Sequence, residues 1–270
     1  MFDVVVIDEA SQALEPESWT AILRGRKLVM AGDHQQLPPT VKSDRARALT
    51  FDTTMLDLLI LKLKEVYLLD TQYRMHPSIL GFSNELFYKG QLKSGAAVLQ
   101  RESIFGSEPL LFIDTSGCGF DEELNGETQS KSNRQEYFII REHILTIIEE
   151  LQTISIGLIS PYRDQVRVMR QEVDQDKDLQ ALDIEINSID GFQGQEKDVI
   201  YLSLVRSNER GELGFLKDYR RLNVAMTRAR HKLVIIGDMS TLGTDPHYLQ
   251  LADHIEQHGR YQSAWEYMSY

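Results

Sequence analysis

Short apolar runs alternate along the chain with longer stretches in which apolar residues recur at helical spacing. The runs are rich in β-branched residues and apolar on both faces, which is typical of parallel strands covered by helices. There are seven such runs: Val4–Ile7, Lys27–Ala31, Glu65–Leu69, Leu110–Ile113, Ile156–Ile159, Val199–Leu204 and Leu233–Ile236. This alternation predicts an α/β fold with a doubly wound parallel sheet.

The clearest helical pattern is SNRQEYFIIREHILTIIEEL, in which Ser132 and Gln135 have the spacing of a capping box. Further helices are predicted after ISPYRDQV, over YRRLNVAMTRARH and over the final stretch LADHIEQHGRYQSAWEYM. The second of these would place Arg221 and Arg228 near one side of a helix. The stretch Ser116–Lys131 is polar and lacks periodicity, which predicts a mobile surface loop.

Composition narrows the class of protein. The chain has 270 residues, of which 42% are hydrophobic and 26% charged, as in an ordinary globular protein of one large or two modest domains. A single cysteine, Cys118, excludes a disulfide framework and a cysteine-rich zinc site, and favours a reducing, cytoplasmic compartment. No segment resembles a membrane span. The net charge of −12 argues against a surface coated in nucleic acid, but it does not exclude a local basic groove.

Polar clusters follow several predicted strands, at the sheet edge where doubly wound folds bind their ligands. The first is Asp8-Glu9, directly after Val4–Ile7. An Asp at a strand tip can hold Mg²⁺, and a neighbouring Glu can orient or deprotonate an attacking water. The alternative is a pair of exposed acids at the start of the next helix, where negative charge is also favoured.

Two further clusters carry groups that suit a phosphate. In AGDHQQLPPT, Gln36 offers a donor and an acceptor to a terminal phosphate or its attacking water, although a proline-stiffened turn is the simpler interpretation. In TQYRMHP, Arg74 presents a planar fork for phosphate oxygens, and Tyr73 presents a ring that can stack on a base. A surface arginine beside a packed tyrosine is the alternative there.

The last two clusters are built from glycine and arginine. In SIDGFQGQEKDV, Gly191 and Gly194 frame a compact turn whose N–H groups can meet phosphates, and Glu196 can accept hydrogen bonds from a ribose. Four arginines then occur between Arg220 and Arg230. They either form a solvated basic face of a helix, or one of them acts on a transferring phosphoryl group.

Taken in this order, the five clusters resemble motifs II to VI of superfamily 1 helicases. The segments DEASQ, GDHQQLPP, QYRMHP, DGFQGQE and LNVAMTRAR are similar to those of the subgroup with the nonsense-mediated-decay helicase and the immunoglobulin-mu-binding helicase. ISPYRDQV resembles the nucleic-acid-contacting motif of the second motor domain. The similarity spans Val4 to Asp238, and six motifs in register would rarely arise by chance.

The resemblance implies two RecA-like domains, each a parallel sheet flanked by helices, with ATP between them and a nucleic-acid strand across the top. Carried over by position, Asp8 would hold Mg²⁺, Glu9 would activate water and Gln36 would sense the γ-phosphate. Arg74 and Arg228 would reach the γ-phosphate from the second domain. The implied activity is ATP-driven translocation along a single strand, with duplex unwinding.

Other positions would serve the nucleoside and the strand. Glu196 would bind near the ribose and Tyr73 near the base, with Gly194 in the adjoining turn. The resemblance places four residues toward single-stranded DNA or RNA: Thr40, Pro161, Tyr162 and Ser188.

A helicase of this type also needs a P-loop, GxxxxGK[ST], before the Asp-Glu pair, and the sequence contains none. The nearest segment, GQLKSGAA, has alanines where Lys and Ser/Thr should stand. We therefore expect residues 1–63 to be the C-terminal remnant of a first RecA-like domain and residues 64–270 to be a complete second one with a C-terminal helix. A missing N-terminal half would supply the P-loop, and the chain alone would lack ATPase activity.

Two other interpretations fit the same residues. The chain could be a stand-alone, non-catalytic RecA-like module that binds nucleic acid or a partner protein. It could also be an interaction protein that supplies arginines to another ATPase. The retained Gln36, Arg74, Glu196 and Arg228 favour descent from a working motor.

Overall fold

The computed structural model describes residues 1–41, 43–63, 66–101 and 108–268. It divides into two compact units, Met1–Leu69 and Asp70–Tyr270. The assignment of residues 1–63 and 64–270 to two RecA-like domains stays a prediction, and residues 64 and 65 at that boundary lie outside the described residues.

The first unit is a small α/β arrangement. Its elements are β1 (Phe2–Ile7), α1 (Glu15–Ile22), β2 (Gly25–Met30), α2 (Asp44–Ala48) and α3 (Met55–Ile60). The two strands pair in parallel, with Val5 opposite Leu28. Both were predicted from their apolar runs. Several apolar side chains on these strands are nevertheless exposed, among them Phe2, Val6 and Val29. Part of the apolar surface of this two-stranded sheet therefore remains uncovered.

The second unit holds the remaining strands and helices. Its strands are β3 (Thr71–Gln72), β4 (Lys93–Ser94), β5 (Leu110–Asp114), β6 (Glu123–Leu124), β7 (Lys131–Ser132), β8 (Ser155–Ser160), β9 (Asp183–Ser188), β10 (Lys197–Ser203), β11 (Ala229–Gly237) and β12 (Arg260–Ser263). Its helices are α4 (Pro77–Tyr88), α5 (Ala96–Leu99), α6 (Arg134–Thr146), α7 (Arg163–Gln175), α8 (Tyr219–Met226), α9 (Met239–Leu242) and α10 (Pro246–His258).

A six-stranded parallel sheet, in the order β12-β5-β11-β10-β8-β9, forms the centre of this unit. Its register pairs Ile200 with Leu233 and Leu233 with Leu110. The central strands are buried on both faces because helices cover both. The predicted α/β class with a helix-flanked parallel sheet is confirmed.

Four apolar runs correspond to central strands, at Leu110–Ile113, Ile156–Ile159, Val199–Leu204 and Leu233–Ile236, as predicted. The predicted strand Glu65–Leu69 is wrong over its described part, since residues 66–69 form no strand and Tyr67 and Leu69 are exposed. Glu65 lies outside the described residues. An apolar run without a neighbouring strand to pair with does not become a strand.

Helix boundaries differ from the predicted ones at three places. The N-cap of α6 is Asn133, whose side chain accepts from Glu136 N at 3.3 Å, while Ser132 belongs to β7. The helix predicted over YRRLNVAMTRARH ends at Met226, because the chain enters β11 at Ala229 to pair with β5 and β10. The closing helix ends at His258, and the rest of that stretch forms β12 and a 3₁₀ turn.

The stretch Ser116–Lys131 is anchored, contrary to the predicted mobile loop. It includes β6, which pairs with β7, and a buried carboxylate at Glu122. Glu122 accepts from Arg206 Nε and from Lys131 Nζ, each at 2.6 Å. Because Arg206 lies just past β10, this pair ties the stretch to the end of a central strand.

A second buried carboxylate, Glu136, lies in the first turn of α6. Its side chain accepts from Ser203 Oγ at 2.5 Å and from Val205 N at 3.0 Å. Val205 is itself buried and has a φ of 71°, a left-handed conformation that is costly for a β-branched residue. Glu136 thus satisfies a backbone N–H that this conformation turns away from the sheet.

None of the helices within the described ranges is both long and apolar enough to cross a membrane.

Candidate functional site

The acidic pair of the first unit lies just past the end of β1. Both side chains are exposed, and Glu9 has a left-handed φ of 51°. Glu9 N donates to Asp8 Oδ1 at 3.0 Å, and Gln12 Nε2 donates to Glu9 Oε2 at 2.8 Å. The helix-capping alternative fails, because α1 begins at Glu15 and the carboxylate that caps it belongs to Glu17.

Gln36 lies beyond the neighbouring strand β2, at the same end of the two-stranded sheet. Its Nε2 donates to Asp33 Oδ2 at 2.9 Å, so the side chain is held within its own turn. Gly32 permits this turn to pass close to the acidic loop: a Cβ there would lie 2.9 Å from Ser11 N and 3.0 Å from Ala10 N. The structure therefore brings the acidic pair and Gln36 to one edge of the unit.

This edge fits a magnesium ion only together with a ligand that brings its own oxygens. Mg²⁺ is commonly held by one or two carboxylates, substrate phosphates and waters. Asp8 supplies one exposed carboxylate. Among the residues that the structure describes, no group of three or more His, Cys, Asp or Glu could hold a metal by itself.

Arg74 is the centre of the second unit's polar cluster. The side chain of Gln72 shapes its loop, since Gln72 Oε1 accepts from Arg74 N at 2.7 Å and from Met75 N at 2.8 Å. The Arg74 guanidinium is ion-paired with Glu196 through Nε, and its Nη1 donates to Thr227 O at 3.0 Å. Motif IV, motif V and motif VI segments therefore meet at one arginine.

Glu196 is shared between two arginines. Besides Arg74, it faces Arg230 Nε at 3.6 Å, and Arg230 also pairs with Asp198 at 3.2 Å. Gly194, two residues before Glu196, has a φ of 80° and shapes the turn. An open depression of about 450 Å³ is lined by Gln72, Tyr73, Arg74, Met75, Glu196 and Arg230. Tyr73 is 67% exposed, so a flat ligand could stack on its ring.

Arg228 is held differently from Arg74. It is only 3% exposed, and its guanidinium donates to Val224 O at 3.1 Å and to Gln195 O at 3.2 Å. It lies past the end of α8 rather than on the helix, which corrects the predicted helical side. Arg74 and Arg228 are nevertheless neighbours, because Arg74 bonds the carbonyl of Thr227, the residue directly before Arg228.

The four residues predicted to face nucleic acid are not alike. Thr40, in the first unit, is exposed, and Ser188 is half-buried, with its Oγ accepting from Gly191 N at 3.2 Å. Pro161 and Tyr162 are buried, and the Tyr162 hydroxyl lies 3.4 Å from Leu213 O. A strand could therefore reach those two only through backbone atoms or after a rearrangement.

Two residues of the cluster were not identified from the sequence. Arg230 was counted in the arginine-rich run, but nothing in its spacing indicated that it would share Glu196. Arg101 donates to three backbone carbonyls around the site, and its position after α5 carries no motif. Residues that act through backbone carbonyls leave no pattern of residue types in a sequence.

Comparisons with known proteins cover nearly the whole chain. Two AAA domain family models match it, one over residues 1–44 and another over residues 51–240. The "DNA-binding protein SMUBP-2" of Mus musculus is 39% identical over 279 residues, with 99% of this chain and 28% of that protein covered. The "DNA polymerase alpha-associated DNA helicase A" of Saccharomyces cerevisiae is 42% identical over 272 residues, with 90% and 39% covered.

The chain therefore spans between about a quarter and two fifths of the length of these two relatives. Among solved structures, the C-terminal domain of a possible DNA helicase from Lactobacillus plantarum WCFS1 matches with a TM-score of 0.39 and 11% identity, covering 72% of this chain and 99% of that one. The sequence matches confirm the resemblance inferred from the six motifs.

Proposed function

The chain belongs to the AAA domain family, and from this membership we propose that it is the C-terminal part of an ATP-dependent superfamily 1 helicase. The protein would couple ATP hydrolysis to movement along single-stranded DNA or RNA and to duplex unwinding. The observation that carries the proposal is the convergence of three motifs on Arg74, which is ion-paired with Glu196 and bonded to the residue before Arg228.

In the first unit, we assign the residues of the β1–β2 edge to the metal and the water. Asp8 would hold Mg²⁺, which neutralises charge on the phosphates when it is bound. Glu9 would accept a proton from the attacking water, and Gln36 would hydrogen-bond the terminal phosphate or that water. The exposed carboxylates and the short Gln36 turn support these roles.

In the second unit, we propose that Arg74 and Arg228 stabilise the negative charge that develops on the transferring phosphoryl group. A guanidinium in this role commonly contributes a rate factor of about 10³ or more. A phosphate oxygen would compete with Glu196 for Arg74, whereas Arg228 would have to leave the carbonyls of Val224 and Gln195. Arg74 is therefore the arginine already placed at an open surface.

We assign the surface beside Arg74 to the nucleoside. The exposed Tyr73 ring would stack on the base, Glu196 would accept from the ribose, and the turn at Gly194 would approach a phosphate through its backbone. Thr40, Pro161, Tyr162 and Ser188 would lie toward the strand, and we expect the protein to work in a reducing, cytoplasmic compartment.

The phosphate cradle would have to come from residues outside this sequence, in an N-terminal half with a P-loop. Amide N–H groups and a lysine provide most of the triphosphate binding in such enzymes, and no GxxxxGK[ST] segment occurs among these 270 residues. We therefore expect negligible ATPase activity from this chain by itself.

The test compares the chain alone with an extended protein that includes the half encoded upstream in the same reading frame. ATP hydrolysis is measured without nucleic acid, with single-stranded DNA and with single-stranded RNA. We expect activity only from the extended protein, with loss of at least 10³-fold in Glu9→Gln, as for removal of a catalytic group. The matched control is Glu15→Gln, which removes one negative charge from the same unit and should leave activity unchanged.

Two results would contradict the proposal. An extended protein that binds nucleic acid but hydrolyses no ATP would exclude the helicase function. Hydrolysis by the chain alone, lost in Glu9→Gln, would overturn the requirement for an external P-loop.

A further inference from the structure

Arg101 holds the backbone of the site through hydrogen bonds, although it belongs to none of the sequence motifs. Its Nη1 donates to Arg74 O at 2.6 Å and lies 3.4 Å from Arg230 O, while its Nη2 lies 3.5 Å from Tyr73 O. The side chain is half-buried. One planar guanidinium thus contacts carbonyls from two segments that are more than 150 residues apart in sequence.

Other bonds also join the two segments. His76 N donates to Arg230 O at 3.0 Å, and the Arg74 side chain donates to Thr227 O at 3.0 Å. Arg230 O therefore accepts from both His76 and Arg101. Without the Arg101 guanidinium, the Arg74 N–H would keep its bond to Gln72 within the loop, but the carbonyls of Tyr73 and Arg74 would lose their link to Arg230.

We propose that Arg101 is a positioning residue, which fixes the backbone of Tyr73 and Arg74 against the start of β11 and so sets where the Arg74 guanidinium points. This inference rests on the proposed function of Arg74. Arg101 itself directs its donors at carbonyls and contacts no reacting group. Its effect on hydrolysis would be transmitted through Arg74, because a displacement of about 1 Å in a group that contacts a transition state can cost about 100-fold in rate.

The charges around Arg101 support a fixed position. Burial and then the nearby Arg101 charge lower the pKa of His76, and the same two causes come first in lowering the pKa of His231. Asp198 opposes the shift at His231, while Arg230 and His76 add to it. Both imidazoles are therefore neutral at neutral pH, and they do not repel the guanidinium from its carbonyls.

The first experiment is a double-mutant cycle in the extended protein, with steady-state ATP hydrolysis stimulated by single-stranded nucleic acid. We expect Arg101→Ala to lower kcat by about 10- to 100-fold with little change in KM for ATP. Because Arg101 would act through Arg74, the double variant with Arg74→Ala should be no slower than Arg74→Ala alone. The control is Arg170→Ala, which removes an arginine that donates to the carbonyl of Ile186.

Arg101→Lys separates charge from geometry. Lysine keeps the positive charge but cannot bond three carbonyls with a planar fork. We therefore expect the kcat of Arg101→Lys to be several-fold lower than that of the wild type. If Arg101→Lys equals wild type, or if the two alanine substitutions multiply, the positioning role is overturned.

The second experiment needs no ATPase activity and uses this chain itself. In ¹⁵N spectra of arginine side chains, the Arg74 Nε–H, protected by its pairing with Glu196, should give a resolved signal that Arg74→Ala removes. Arg101→Ala should broaden or shift that signal, while Arg170→Ala should leave it in place. An unchanged signal in Arg101→Ala overturns the inference even if the helicase function holds, and an inactive extended protein with the expected spectra refutes the function alone.

Discussion

Replacement of Glu136 by glutamine should change how the stability of the second unit depends on pH. Burial raises the pKa of Glu136 from 4.5 to about 8, and the hydrogen bonds from Ser203 and Val205 only partly oppose this shift. The folded protein therefore holds a proton on Glu136 at neutral pH that the unfolded chain releases. A neutral glutamine of the same shape has no proton to bind or release.

The size of the effect follows from proton linkage. A carboxyl with a raised folded-state pKa contributes stability that is fully present below pH 4.5 and is lost as the pH rises toward 8. Each pH unit within this window costs about 1.4 kcal/mol. Between pH 6.5 and 8, the wild type should lose about 1.6 kcal/mol through Glu136, allowing for its half-titration at the upper end. Glu136→Gln should lose none of it.

Other buried groups titrate mostly outside this window. Burial lowers the pKa of His143 from 6.5 to about 3, so from pH 6.5 to 8 it adds only about 0.4 kcal/mol of stability, and it does so equally in both proteins. Burial also lowers the pKa of Lys232 to about 8. Because of this shift, Lys232 makes the free energy of unfolding increase with pH above about pH 8. Lys232 is present in both proteins, so the difference between wild type and Glu136→Gln cancels its contribution.

The assay is urea denaturation at pH 6.5, 7.0, 7.5 and 8.0, followed by circular dichroism and by tryptophan fluorescence. The matched control is Glu149→Gln, an exposed acid shortly after the same helix, which should follow the wild type. Parallel pH profiles for wild type and Glu136→Gln would refute the argument that Glu136 is protonated in the folded protein.

Three other predictions concern packing, a buried ion pair and the metal. Glu122→Ala should cost about 3–5 kcal/mol of unfolding free energy, because it removes the close carboxylate partner of the buried Arg206 and leaves it the exposed Glu212 at 3.9 Å, and a loss below about 1 kcal/mol in urea denaturation would contradict this. Gly259→Ala should cost about 1–3 kcal/mol, because a Cβ there would lie 2.3 Å from Leu110 O, whereas the control Gly126→Ala meets no atom within 4 Å. Chelation of Mg²⁺ should abolish ATP hydrolysis by the extended protein, and activity that persists in excess EDTA would contradict the role given to Asp8.

The central sheet could be predicted from the sequence because its strands are apolar on both faces. Its two edge strands could not. β9 reads DIEINS and β12 reads RYQS, and each mixes polar with apolar residues because one face or one edge meets solvent. Their pairing with β8 and β5 is set by tertiary contacts, which no local pattern records.

The site was predictable to the extent that its chemistry needs particular residue types. Arg74 and Glu196 were identified by their motifs, and the structure pairs them. The buried state of Arg228 and Tyr162 was not predictable, since it depends on how β11 and the turn around Leu213 pack. The role of Arg101 could not be predicted for a different reason, because its partners are carbonyl oxygens, which every residue possesses.

The left-handed Val205 has a consequence for how this sequence could evolve. Glycine would adopt the same φ of 71° without the steric cost that a branched side chain incurs there. Glycine at 205 would leave the same N–H buried and still dependent on the Glu136 oxygens, and it would also remove a fully buried side chain. Position 136 should therefore accept only residues that offer an acceptor to that N–H, whether position 205 carries valine or glycine.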